Sequence, residues 1–112
     1  MSRPKLTMDV AVDGANATIA LHGEIDIATA RDVEERAGLV LQRHPIDHLT
    51  LDMRDVSMVD SIGVAALVRV GRQVQAAERT MALVKVQPMV RRVLAVTGLT
   101  EALNVEAPDA RD

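Results

Sequence analysis

The sequence predicts an α/β fold on a mixed β-sheet of about five strands, in the order β-β-α-β-α-β-α-β, from three observations. The apolar spacing switches repeatedly between a period of two and a period of three to four. Asp13-Gly14-Ala15-Asn16 separates two alternating runs in the manner of a hairpin turn. Pro45, Pro88 and Gly98 fall where the spacing changes, as helix boundaries do.

The elements follow in order. Leu6, Met8, Val10 and Val12 alternate with Thr7, Asp9 and Ala11, and Ile19 and Leu21 resume the alternation after the turn, which makes a hairpin. A first helix is expected over about 27–43, because Ala30, Val33, Ala37 and Val40 recur at three and four residues while Arg31, Asp32, Glu34, Glu35 and Arg36 face away. Leu49, Leu51 and Met53 return to alternation and predict a third strand over about 48–53. A second helix follows over about 61–77, with Ile62, Ala65, Leu67, Val68, Gly71 and Val74 available for packing. The run at 81–86 is apolar enough for a strand buried on most of both faces. Pro88 suits the first turn of a third helix through about residue 97, closed by Gly98, and 102–105 forms a weak last strand.

At 112 residues the chain reads as one domain over 1–112, with an ordered core over about 5–106 and ends that fray up to about Pro4 and after about Ala107. Its apolar content of 48% contains no Phe, Tyr or Trp, so aliphatic side chains and six methionines must fill the core. The absence of cysteine excludes disulfides, thiolate ligands and a cysteine nucleophile. With neither a signal segment nor an apolar run of about 18 residues, the expectation is a cytoplasmic protein without a membrane span. Net charge is −3, with six Lys and Arg against ten Asp and Glu over residues 1–56 and seven against six over 57–112. That balance, with no aromatic stacking platforms, gives little drive toward nucleic acid.

Topology narrows the search for function. A βαβ unit makes the second and third strands parallel, so the segments 23–29 and 54–61 meet at one sheet edge, the usual place for functional groups in α/β sheets. There Asp60, Ser61 and Gly63 stand at the mouth of the second helix. Either Ser61 is itself the helix cap, or Asp60 caps and leaves the Ser61 hydroxyl facing solvent. Gly63 costs about 0.5–1 kcal/mol in a helix, which points either to a close approach of a ligand or partner to the backbone or to tight packing on a strand.

The segment 21–37, the run 48–70 with its Asp60-Ser61-x-Gly63 motif, and the run 81–103 with Thr97-Gly98-Leu99 together resemble a STAS domain of the bacterial anti-sigma factor antagonist family. The resemblance covers about residues 6–105, with Gly23-Glu24-Ile25-Asp26 as a further matching segment. It implies the STAS fold and a partner-switching regulator. In that scheme the unphosphorylated chain binds an anti-sigma factor that is also a serine kinase and so releases a sigma factor. Phosphorylation of Ser61 switches it off, and a phosphatase acting on phosphorylated Ser61 resets it. The resemblance places Asp26, Asp60, Ser61, Ile62 and Gly63 at the partner-binding site, with no cofactor, metal or catalytic residue, and the free chain is expected to be a monomer. The alternative within the same fold is a scaffold subunit of a signalling assembly or membrane transporter, without phosphoryl control. The sequence departs from the family at Ile62, where relatives commonly carry Ser or Thr, and in having Met58 and Val59 where an aromatic often precedes the motif.

The remaining candidates read as structural. Asp26 is either a helix cap or turn acid, or a partner residue, and Thr29 with Asp32 has the spacing of a capping box. Asp52 and Asp55 suit a solvated strand end better than an acid/base pair. His22, His44 and His48 lack metal-ligand spacing, and Val59-Asp60-Ser61-Ile62-Gly63 is not a Gly-x-Ser-x-Gly nucleophile elbow, so no enzyme is expected. Arg69, Arg72, Arg79, Lys85, Arg91 and Arg92, opposed only by Glu78 between residues 61 and 100, form a solvated face or a surface for an acidic partner.

Overall fold

The hairpin forms because Gly14, at φ 59°, turns the chain between two strands whose odd and even residues face opposite sides. The structure is a computed structural model that describes residues 4–108. The expected fraying concerns mainly residues 1–3 and 109–112, which lie outside the described residues. Strands β1 (Leu6–Asp13) and β2 (Asn16–Ile25) precede helix α1 (Ala30–Arg43), β3 (His48–Val59), α2 (Ser61–Ala76), β4 (Thr80–Val84) and α3 (Pro88–Val96). The sheet order is β1-β2-β3-β4; the first pair is antiparallel and the other two are parallel.

Ala17, Ile19 and Leu21 of β2, Leu49, Leu51 and Met53 of β3, and Met81 and Leu83 of β4 point to one face. Val33, Ala37 and Val40 of α1, Val64, Leu67, Val70 and Val74 of α2, and Val90 and Leu94 of α3 join them in one apolar cluster. An aliphatic core of this kind packs well without aromatics, because branched side chains interdigitate across the sheet.

The mixed α/β architecture is as expected, with four corrections. First, among the described residues the sheet has four strands, and 102–105 contributes a single parallel bridge, Val105 to Leu83. That segment winds in tight turns (Leu103 N–H to Leu99 O at 3.0 Å, Val105 N–H to Thr100 O at 2.9 Å, Asn104 at φ 51°) and extends too late to pair further. Second, β3 runs to Val59, past the expected end at 53, because register shifts against β2 at Ala20/His22 and Gly23/Glu24 break the period of two without ending the ladder. Third, β4 ends at Val84, where Lys85 turns the chain at φ 56°. Its burial alternates because the helices cover one face, so it is not buried on both. Fourth, α1 begins at Ala30 and not near 27.

The face turned away from the helices carries a pin across three strands. His22 of β2 sets Nδ1 at 2.8 Å from Asp55 Oδ2 of β3 and Nε2 at 3.0 Å from Asp9 Oδ2 of β1. The Asp55 carboxylate, and then that of Asp9, raise the His22 pKa above its usual 6.5. A raised folded-state value stabilises the fold fully below the unfolded value, and that stabilisation is lost as pH rises through the folded value. The stability advantage of wild type over His22→Gln is therefore expected to shrink as pH climbs upward from 6.5, measured by thermal unfolding. An advantage that is flat or grows with pH would contradict the pin.

Candidate functional site

Ile25 and Val59 pair at the carboxyl ends of β2 and β3, so the chain leaves the sheet at two adjacent points. After Val59, Asp60 takes an extended conformation (φ −90°, ψ −176°) and α2 starts at Ser61. Asp60 N–H donates to the Ile25 carbonyl at 3.2 Å, and Asp60 Oδ1 accepts from Gly63 N–H at 2.8 Å. Asp60 is thus the cap, which settles the first alternative left by the spacing. Ser61, the first helical residue, is exposed, and the helix start does not need its hydroxyl.

Gly63 resolves in favour of packing. It is buried, and a Cβ built there would overlap the Ile25 carbonyl oxygen, lie 2.8 Å from that carbonyl carbon and 2.9 Å from Val59 Cγ1. The glycine lets the first turn of α2 sit directly on the end of β2. Ile62, expected to be available for packing, is instead 42% exposed beside Ser61, because the first turn buries Gly63 and Val64 against the sheet.

Asp26 is buried in the neighbouring loop, its side chain 7% exposed. Oδ2 accepts from Lys5 Nζ at 2.9 Å and Oδ1 from Ala28 N–H at 2.9 Å. The Lys5 ammonium, helped by the Ala28 N–H and opposed by burial, holds the Asp26 carboxyl below the usual carboxylate range, and Lys5 is raised in turn. Thr29 does not make the capping box with Asp32 that its spacing suggested. It takes an αR conformation, donates its hydroxyl to the Glu24 carbonyl at 2.8 Å and accepts from Asp26 N–H at 2.9 Å. This closes the loop over Asp26 and leaves Ile27 outside α1, 77% exposed.

The edge therefore presents an exposed serine at a helix head, two acids held in fixed positions, and two isoleucines facing water. Of the expected site residues, Asp60, Ser61 and Ile62 reach the surface, whereas Gly63 and Asp26 shape it from beneath. Sequence reasoning missed Ile27 and Lys5. Ile27 could have been suspected because it is apolar in a polar loop, but the Lys5–Asp26 pair spans 21 residues and had no local signal.

Other candidates lie elsewhere. Asp55 is engaged by His22, while Asp52 accepts from Arg54 N–H at 3.0 Å and lies 4.0 Å from Lys85 Nζ. His48 Nδ1 meets Thr80 Oγ1 at 2.6 Å, and His44 closes α1 through its backbone N–H. Among the basic residues, Arg69 pairs with Glu34 across α1 and α2 at 2.8 Å, and Arg79 donates to the Leu41 carbonyl at 2.7 Å. Among the described residues no group of three or more His, Asp or Glu side chains could hold a metal ion. No described helix is long and apolar enough to cross a membrane.

Comparison with known proteins places this geometry in context. A family profile described as the STAS domain matches residues 7–108. An anti-sigma F factor antagonist of Paenibacillus polymyxa is 25% identical over 87 residues, 78% of this chain and 74% of that one. The crystal structure of an anti-sigma factor antagonist from Mycobacterium paratuberculosis superposes with a TM-score of 0.81 at 26% identity, covering 100% of this chain and 94% of that one. The anti-sigma factor antagonist SpoIIAA in its unphosphorylated form gives a TM-score of 0.76 over 94% of this chain and 90% of its own; at 18% identity that likeness bears on the fold alone.

Proposed function

The chain belongs to the STAS domain family, and from that premise we propose that it is an anti-sigma factor antagonist switched by phosphorylation of Ser61. In this reading the unmodified chain binds an anti-sigma factor that is also a serine kinase, and a sigma factor is released. The observation that carries the reading is the division of labour at the head of α2: Asp60 makes the cap, so the exposed Ser61 hydroxyl is spared for chemistry. The kinase passes the γ-phosphoryl group of ATP to Ser61 Oγ, which loses its proton, and ADP leaves. A phosphatase returns the serine by hydrolysis.

The electrostatics favour a switch in binding over a switch in folding. A phosphate of about −1.5 to −2 charge at the first helical residue sits at the positive end of the helix dipole, so the fold accommodates it. The same charge beside Asp60 is costly to bury against a partner. Ile27 and Ile62, both exposed, supply the apolar contact that an interface centre needs, and a charged group beside Ile62 would bring water into it.

The test is direct. Incubation of the purified chain with its cognate kinase and ATP is expected to add one phosphate, located at Ser61 by intact-mass and fragment measurements. Ser61→Ala should stay unmodified under the same conditions; stoichiometric labelling of that variant would end the assignment.

A further inference from the structure

We propose that Lys5 is the counter-ion of the phosphorylated state: its ammonium, paired with Asp26 in the resting chain, also pairs with the phosphate once Ser61 carries one. The inference rests on the reading of Ser61 as the phosphoacceptor. Lys5 is anchored by its backbone, since its carbonyl accepts from Glu24 N–H at 2.9 Å. That carbonyl also occupies the space a Cβ at Gly23 would fill, and Gly23 itself sits at φ +130°. The side chain crosses the loop to Asp26 Oδ2 at 2.9 Å, yet is 57% exposed where its partner is 7% exposed.

This asymmetry matters. The Asp26 carboxylate is fixed, because its other oxygen is taken by Ala28 N–H. The ammonium has three donors, and one carboxylate oxygen does not exhaust them. Lys5 can therefore take a second anionic partner from the solvent side without abandoning Asp26.

The placement supplies such a partner. The residue before Asp26, Ile25, accepts from Asp60 N–H and lies directly beneath Gly63, so the Lys5–Asp26 pair adjoins the turn of α2 that begins with Ser61. Asp26 first, and Glu24 and Asp60 at longer range, hold Lys5 in its charged form. A phosphate on Ser61 would add an anion next to Asp60, one of the acids whose charge already acts on Lys5. Pairing with Lys5 would draw the phosphate toward the loop that carries Ile27, across the surface the unmodified partner needs.

The experiment installs phosphoserine at position 61 during translation, so that no kinase is involved, and follows its second ionisation by 31P NMR titration. In the otherwise wild-type chain the midpoint is expected below the value of about 6 for an unperturbed phosphoserine. Lys5→Met should raise it by about one pH unit, about tenfold in proton affinity, and Lys5→Arg should keep it low. A merely structural Lys5 would lower the unfolding temperature without moving this midpoint. Equal midpoints in the wild-type background and Lys5→Met overturn the proposal. Should Lys5→Met fail to fold with Asp26 left unpaired, the 15N shift of Lys5 Nζ in the intact phosphoserine chain decides instead. It should titrate with the phosphate, and a shift that ignores the phosphate overturns the inference. Failure of a kinase to label Ser61 would remove the switch itself, whereas an unmoved midpoint removes Lys5 alone.

Discussion

Gly63→Ala is expected to cost the domain about 2–3 kcal/mol of stability and to lower its unfolding midpoint by on the order of 10 °C. In an isolated helix the same change would help by about 1 kcal/mol, because alanine is the better helix former. Here the added methyl would overlap the Ile25 carbonyl oxygen and crowd Val59 Cγ1 at 2.9 Å. That oxygen cannot retreat cheaply: it accepts from Asp60 N–H at 3.2 Å, and Ile25 is registered against Val59 in the sheet. Relief must come from lifting the start of α2, which opens the packing of Val64 and Leu67. Gly71→Ala is the internal control. There an added Cβ meets Met81 Cε at 3.4 Å and Leu103 Cδ2 at 3.5 Å, ordinary contact distances, so propensity should win and stability should hold or rise. Urea unfolding of both variants checks the contrast. If Gly63→Ala matched wild type, the close seat of α2 on β2 would be wrong, and with it the fixed exposure of Ser61.

The contrast between these two glycines shows where the sequence was legible. Periodicity is a local signal, so Ile19 and Leu21, Leu49 and Leu51, and the 3-4 spacing of Ala30, Val33, Ala37 and Val40 identified their elements and the α/β order without help. Asp60 as cap was one of two local readings, and the choice needed the backbone. What failed was tertiary. The shifted register beside His22 and Gly23 leaves Arg54 and Asp55 both exposed, a pattern that mimics a loop inside β3. Thr29 preferred a buried hydrogen bond to Glu24 over the cap that its spacing offered. The expected helix span took in Ile27, whereas the loop around Asp26, closed from 21 residues away by Lys5, delays the helix to Ala30. At the site itself, the serine, its cap and the glycine were readable as a motif. The cation and the apolar flank were not, since neither follows from spacing.

Ser61→Asp is expected to weaken binding to the anti-sigma factor by about tenfold to a hundredfold, about 1.4 to 2.7 kcal/mol, while unfolding free energy stays within about 1 kcal/mol of wild type. The two halves of this expectation have separate causes. For folding, a carboxylate at the first position of α2 gains about 0.3–1 kcal/mol from the helix dipole, which offsets repulsion from Asp60 across an exposed, well-solvated turn. For binding, a partner docking on this edge must strip water from that same carboxylate beside the exposed Ile62, and no helix end compensates for a charge that is desolvated from the outer side. Ser61→Asn separates charge from bulk: it nearly matches aspartate in size, so affinity close to that of wild type assigns the loss to charge, and affinity as poor as that of Ser61→Asp assigns it to shape. Ser61→Ala should bind within about threefold of wild type, because on the proposed reading the hydroxyl serves as phosphoacceptor and not as anchor. The loss in Ser61→Asp should also shrink as salt rises, to the extent that its charge stays near solvent. Calorimetry of the three variants against one anti-sigma factor measures all of this. Undiminished affinity of Ser61→Asp would leave phosphorylation with no electrostatic route to release, and the partner would then have to read the switch elsewhere on the domain.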